Sequence, residues 1–194
     1  MGKRFSLGLS KKGLTPLGVV VVLIAGPVFA EQVGTVLPQR VEAKDTNGDG
    51  KPDEWRYYQG DGRQEVLIRV ERDRDGDGRR EVVIFFENGK PVHSEVDRNG
   101  DGRPDITIFM KDGKPERESA DTNFDGKTDV WVYYKNSIKD LMIRDKNFDG
   151  KPDAWFYYDK AGLKIIGLIL DDNFDGKPDR TSGTVPKTEE RKPW

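Results

Sequence analysis

The chain has no cysteine and a single histidine, His93, in 194 residues. Without thiols there are no disulfides and no thiolate metal sites. One imidazole cannot furnish a nitrogen-rich zinc site, so the metals left are hard cations that bind through oxygen. Apolar residues are also sparse, at 34% against 35% charged, which points to a thin core. The 10% aromatic content is placed periodically and argues against disorder. Recognisable catalysis is missing too: there is no nucleophile elbow, phosphate loop or acid–base pair. His93 and Ser94 are neighbours on a predicted strand, where adjacent side chains face opposite ways, so they make no catalytic pair. His93 reads as an exposed strand residue, and the chain does not read as an enzyme.

The N-terminus carries the longest apolar stretch, Leu14 to Ala25, shorter than the roughly 20 residues a spanning helix needs. Lys3, Arg4, Lys11 and Lys12 precede it. Gly26 and Pro27 follow, then Val28-Phe29-Ala30, a small-x-small cleavage pattern. Residues 1–30 are therefore expected to be a secretory signal cleaved after Ala30. Contact with a membrane is expected only through that segment, if it stays uncleaved. Its loss leaves 29 Lys and Arg against 35 acids, a net charge of −6. Nucleic acid is not an expected partner at that charge.

What the chain does have is repetition. The phrase D-x-[N/D]-x-D-G-x-x-[D/E] begins at Asp45, Asp73, Asp97, Asp121, Asp145 and Asp171, at spacings of 28, 24, 24, 24 and 26 residues. Side-chain oxygens stand at positions 1, 3, 5 and 9, and Gly at position 6. Alternate residues that point inward around a sharp glycine turn can wrap oxygen ligands about a calcium ion. In the first loop the ligands are Asp45, Asn47, Asp49 and Asp53, with the backbone carbonyl of Lys51 at position 7. The second has Asp73, Asp75, Asp77, Arg79 and Glu81, the third Asp97, Asn99, Asp101, Arg103 and Asp105. The others offer Asp121, Asn123, Asp125, Lys127 and Asp129, then Asp145, Asn147, Asp149, Lys151 and Asp153, and last Asp171, Asn173, Asp175, Lys177 and Asp179. The cationic side chains at position 7 are expected to point outward. No Glu stands at position 12, where Arg56, Ile84, Ile108, Val132, Phe156 and Ser182 are found, so this is not a true EF-hand. Such sites belong to the weak class, with a Kd of about 10⁻⁴–10⁻³ M.

Between the loops the sequence predicts hairpins. Five β-branched or aromatic runs begin at Glu54, Val82, Ile106, Val130 and Ala154. Turn residues such as Asn88-Gly89 and Asp112-Gly113 follow each run, and then a second strand returns to the next loop. The fold class is thus all-β, a tandem β-hairpin array forming an antiparallel meander with calcium loops along one edge. Apolar residues on both strand faces suggest a curled, solenoid-like or two-layer form. Trp55, Tyr57, Trp131, Tyr133, Trp155 and Tyr157 share one face, as a packing ladder or a sugar platform. Phe124, Phe148 and Phe174 at position 4 are expected to stack between loops. The apolar strand ending at Leu170 reads as a buried cap or a pairing edge. Residues 31–44 read as a linker with Val33 to Leu37 as a candidate edge strand, 45–179 as the repeat domain, and 180–194 as a disordered tail ending at Trp194.

In loop sequence the repeats resemble the calcium loops of integrin-type propellers and of bacterial FG-GAP and VCBS repeats, most clearly at Asn47 to Asp53. They also resemble thrombospondin type 3 loops. The intervening hairpins are similar to short MORN-type hairpin repeats. The likeness implies a secreted or periplasmic calcium-binding protein, or one held at the cell surface, with a structural, adhesive or scaffolding role. The alternative is a module that binds extracellular polysaccharide or an envelope protein through its aromatic face. A calcium sensor is disfavoured, because the flanks lack helices that open on binding.

Overall fold

The computed structural model describes residues 20–24, 39–61 and 63–186. They form thirteen strands and no helix. The strands are β1 (Val20–Ile24), β2 (Gln39–Lys44), β3 (Glu54–Gly60), β4 (Glu65–Arg72), β5 (Val82–Glu87), β6 (Lys90–Val96) and β7 (Ile106–Lys111). Then come β8 (Lys114–Ala120), β9 (Val130–Lys135), β10 (Ile138–Arg144), β11 (Ala154–Tyr158), β12 (Ile165–Leu170) and β13 (Arg180–Gly183). They lie in one sheet in chain order, each strand antiparallel to the next. This is the expected hairpin array, with turns along one edge and acidic loops along the other.

Strands stand at three places where the sequence reading put none. The first strand of the repeat region is β2, while Val33 to Leu37 fall outside the described residues. Part of the expected signal segment, Val20–Ile24, lies against β2, and the rest of that segment is outside the described residues. The tail is not irregular at its start: Arg180–Gly183 pairs with β12, closing the sixth loop as the others are closed. Trp194 lies outside the described residues.

The hairpin turns follow from their residues. Asn88 and Gly89 have φ of 49° and 75°, and Asp112 and Gly113 have 53° and 75°. Two successive left-handed residues make a turn whose twist matches the strands. Asn136 and Ser137 do the same at 53° and 66° without a glycine. One residue is skipped in the register at the same place in every hairpin, at Ile68, Val92, Glu116, Asp140 and Ile166. Such a bulge adds local twist.

The sheet is a single layer: among the described residues every extensive strand contact is between sequence neighbours. The two-layer form is therefore corrected, and the reason lies in cross-strand neighbours. Tyr57, Arg69, Phe85, His93, Phe109, Arg117, Tyr133, Leu141 and Tyr157 stand side by side on one face, each paired with the next. In the N-terminal half, cationic or imidazole groups sit between the rings. The Arg69 guanidinium lies 4.0 Å from the Tyr57 ring centre, and that of Arg117 4.3 Å from Phe109. In the C-terminal half aliphatic side chains sit there instead. Leu141 lies between Tyr133 and Tyr157, and Ile143 between Trp131 and Trp155, and both are fully buried without a second layer. Large rings on either side cover a short aliphatic group as a facing sheet would.

His93 corrects its sequence reading. It is half-buried, stacked between Phe85 at 5.2 Å and Phe109 at 5.0 Å, with Glu95 3.4 Å from its Nε2. Ser94 faces the other way and is buried. At about 0.5–1.5 kcal/mol per ring pair, His93→Ala should cost about 1–3 kcal/mol. His93→Phe should keep most of that in a denaturant melt. An alanine variant as stable as the parent would mean that the stack carries no weight.

The apolar end strand β12 is not a buried cap. Ile165 is 50% exposed and Ile166 42%, and its edge is taken by β13.

Candidate metal centres

Each acidic loop joins the second strand of one hairpin to the first strand of the next, so all six lie along one sheet edge. Backbone hydrogen bonds fix their ends. The position-9 N–H donates to the residue before the loop, as Asp129 does to the Ala120 carbonyl at 2.9 Å. The position-1 N–H donates to position 9 of the loop before, as Asp145 does to the Asp129 carbonyl at 2.8 Å. The loops therefore continue the ladders of the sheet.

Inside each loop the side-chain oxygens fold the backbone about themselves. The Asp45 carboxylate accepts the Gly48 N–H at 2.6 Å and the Gly50 N–H at 2.8 Å. Asp73, Asp97 and Asp121 repeat both bonds. The Asn47 side-chain oxygen accepts the Asp49 N–H, and Asp49 accepts the Lys51 N–H at 2.8 Å. These are Asx turns, and the position-7 carbonyl comes at the end of the last one. Positions 3 and 5 are exposed, whereas the carboxylates of Asp53, Asp105, Asp129 and Asp153 at position 9 are buried.

Position 4 carries a constraint the sequence reading missed. It is left-handed in every loop: φ is 82° at Gly48 and 61–63° at Phe124, Phe148 and Phe174. Glycine at position 4 of the first three loops was the available signal. A phenylalanine there costs about 1–2 kcal/mol of backbone strain. Its ring is set beside position 2 of the preceding loop, with Arg98 5.2 Å from the Phe124 ring centre and Lys146 5.7 Å from Phe174. Phe124 and Phe174 thus lie beside a cation of the preceding loop, and all three rings stay 40–45% exposed.

Among the described residues, the second loop alone gathers its carboxylates. Ligand atoms of Asp73, Asp75, Asp77 and Glu81 lie within 4.8 Å of one another. With Ca–O distances of 2.3–2.6 Å, ligands on opposite sides of one calcium stand about 4.6–5.2 Å apart, so one cation fits that set. It is the one loop with Asp rather than Asn at position 3 and Glu rather than Asp at position 9. Glu81 accepts the Arg74 N–H through Oε2 at 2.8 Å and keeps Oε1 buried and unpartnered. In the other five loops the Asp at position 9 accepts the position-2 N–H in the same way. Asp105 accepts the Arg98 and Asn99 N–H groups, and Asp129 accepts the N–H and hydroxyl of Thr122. Their carboxylates stay apart in this arrangement.

The electrostatics differ between loops. Hydrogen bonds from the Thr46 hydroxyl and the nearby backbone hold Asp53 below the usual carboxylate range. Burial pushes Asp153 up, and the charges of Asp145 and Asp149 add to the push against two backbone donors. The buried Oδ1 of Asp145 has no partner. The fifth loop is thus a place where negative charge is confined and poorly compensated. The cationic side chains at position 7 are exposed, and Arg79 also reaches the next loop, its Nη1 donating to the Gly100 carbonyl at 2.9 Å.

No protein-family model and no curated protein matches the chain. Among solved structures, a crystal structure of TarM aligns over 56% of this chain and 18% of its own, at 16% identity and a TM-score of 0.24. A mutant of S. aureus TarM in complex with Fondaparinux, alpha-GlcNAc-glycerol and UDP aligns over 54% and 18%, with the same identity and score. The chain spans less than a fifth of those proteins. At that score the likeness carries no argument about fold or activity. No described helix is long and apolar enough to cross a membrane.

Proposed function

We propose that the chain is a calcium-binding repeat protein of a secreted or periplasmic compartment, with a scaffolding role and no enzymatic one. The observation that carries this reading is the second loop, where Asp73, Asp75, Asp77 and Glu81 bring oxygen atoms within 4.8 Å of one another. The oxygen-only donor set favours calcium over transition metals. The same phrase in five more loops supports further sites, whose carboxylates would swing inward when a cation repays their mutual repulsion. The unpartnered Asp145 oxygen and the raised Asp153 carboxyl support that movement in the fifth loop. Compartment rests on the basic and apolar N-terminal sequence.

The polysaccharide reading of the aromatic face draws less support. Its rings are stacked against Arg69, His93 and Arg117 or packed on Leu141 and Ile143, so few flat faces are left for a sugar.

Calorimetric calcium titration of two variants tests the ligand assignment. Asp77→Asn should weaken the second-loop site at least about ten-fold. Arg79→Ala should not weaken calcium binding, since its side chain is no ligand and pairs with Asp77 at 3.6 Å, and should lower stability by about 0.5–1.5 kcal/mol through its lost bond to Gly100. Equal loss of affinity in both variants would remove this assignment.

A further inference from the structure

Along the edge opposite the loops, the last two hairpins leave a cavity of about 370 Å³ between their turns. Ile138, Tyr158 and Ile166 supply apolar walls, and Lys135, Lys139 and Lys160 stand around them. The two turns are in close contact. A Cβ on Gly162 would come within 2.8 Å of the Ile138 side chain and 3.0 Å of the Lys139 backbone, and Gly162 is left-handed at φ 71°. Aliphatic side chains at and beside the cavity face water: Leu163 is 81% exposed and Ile165 50%, and the wall residues Ile166 and Ile138 42% and 40%.

The charge of this corner is opposite to that of the chain. Lys135, Lys139, Lys160 and Lys164 meet two acids there, Asp140 and Asp159, in a protein of net charge −2. Asp159 is turned into its own loop, where it accepts the Leu163 N–H at 2.9 Å and the Lys164 N–H at 3.3 Å. Those bonds hold its carboxyl below the usual range. Lys139 reaches over Tyr158, its Nζ 5.1 Å from the ring centre. Aliphatic tips beside a ring of ammonium groups complement an anionic, oily surface.

We propose that the turn edge of the last two hairpins docks on an anionic lipid bilayer, with Leu163 and its aliphatic neighbours entering the headgroup layer and the lysines meeting lipid phosphates. A small soluble anion seated in the cavity would leave Leu163 and Ile165 in water, whereas a bilayer covers them together with the groove. Docking of this kind does not depend on the calcium reading, since the loops lie along the other edge.

The test is flotation of the full chain with phosphatidylcholine vesicles, with and without phosphatidylglycerol, at constant millimolar calcium. Binding should require phosphatidylglycerol and weaken with salt. Leu163→Asp should abolish it without moving the melting temperature, because that side chain is almost fully in water. The triple change Lys135→Gln, Lys139→Gln, Lys160→Gln should cut partitioning about a hundred-fold, at about five-fold per lysine. Absence of binding to phosphatidylglycerol vesicles overturns the proposal. So does equal binding by the variants, which would point to calcium bridging through the loops. Capture of glycerol phosphate in free solution with no vesicle binding also overturns it, in favour of a small-anion site.

Discussion

Removing calcium with EDTA should lower the stability of this protein by up to about 8 kcal/mol. The figure follows from mass action. At ~1 mM calcium and a Kd of ~0.1 mM each filled site contributes roughly 1.4 kcal/mol, and six independent sites sum to about 8. A typical domain has about 5–15 kcal/mol in total, so the apo chain should stand at the edge of unfolding. The structure gives a reason to expect dependence this steep. The sheet is one layer thick, and its buried apolar set is confined to a few side chains such as Val70, Leu141 and Ile143. Confined carboxylates at Asp145 and Asp153 add repulsion that only a cation removes. Thermal melts in EDTA and in millimolar calcium make the measurement. Coincident midpoints would refute calcium as the stabilising ligand.

Trp131→Ala should be the most damaging single change in the sheet. Trp131 is 7% exposed and packs on Leu141 and Ile143, with Tyr133, Trp155 and Tyr157 around them. Truncating a buried tryptophan costs about 3–5 kcal/mol. For a chain of this size that lowers the midpoint by about 10 °C. The loss should be cooperative, because Ile143 is covered by Trp131 on one side and Trp155 on the other. Circular dichroism melts at saturating calcium check the expectation. A variant that keeps its midpoint and loses only saccharide binding would overturn the packing role and favour a sugar platform.

Much of the array was legible in the sequence because its signals are local and repeat. The runs beginning at Glu54, Val82, Ile106, Val130 and Ala154 open β3, β5, β7, β9 and β11, and Asn88-Gly89 and Asp112-Gly113 turn as those pairs must. What was hidden depends on partners far along the chain. The bulged residues Ile68, Val92, Glu116, Asp140 and Ile166 share no chemistry, so no residue type marks the skipped register. His93 read as exposed because its cover comes from Phe85 and Phe109 on neighbouring strands. A second layer stood beside a curled sheet among the expected forms because apolar residues on both faces were counted without the arginine stems and rings beside them. At the loops, the ligand pattern was readable but the spacing of the carboxylates was not. Asp75 and Glu81 join Asp73 and Asp77 in the second loop. The other loops carry Asn at position 3 and Asp at position 9, a difference the repeated phrase conceals.

Because each described strand is hydrogen-bonded only to the strands next to it in sequence, no ladder among the described residues clasps the ends of the sheet together. A pull across the sheet, from one outer strand to the other, would load each ladder in turn rather than all at once, as a zip is opened. Every hairpin released between the third and fourth loops, or the fourth and fifth, frees the 24 residues of one repeat, a lengthening of about 80 Å when drawn straight. A pull along the strands meets all the rungs of a ladder together and is resisted. The array is thus compliant in one direction and stiff in the other.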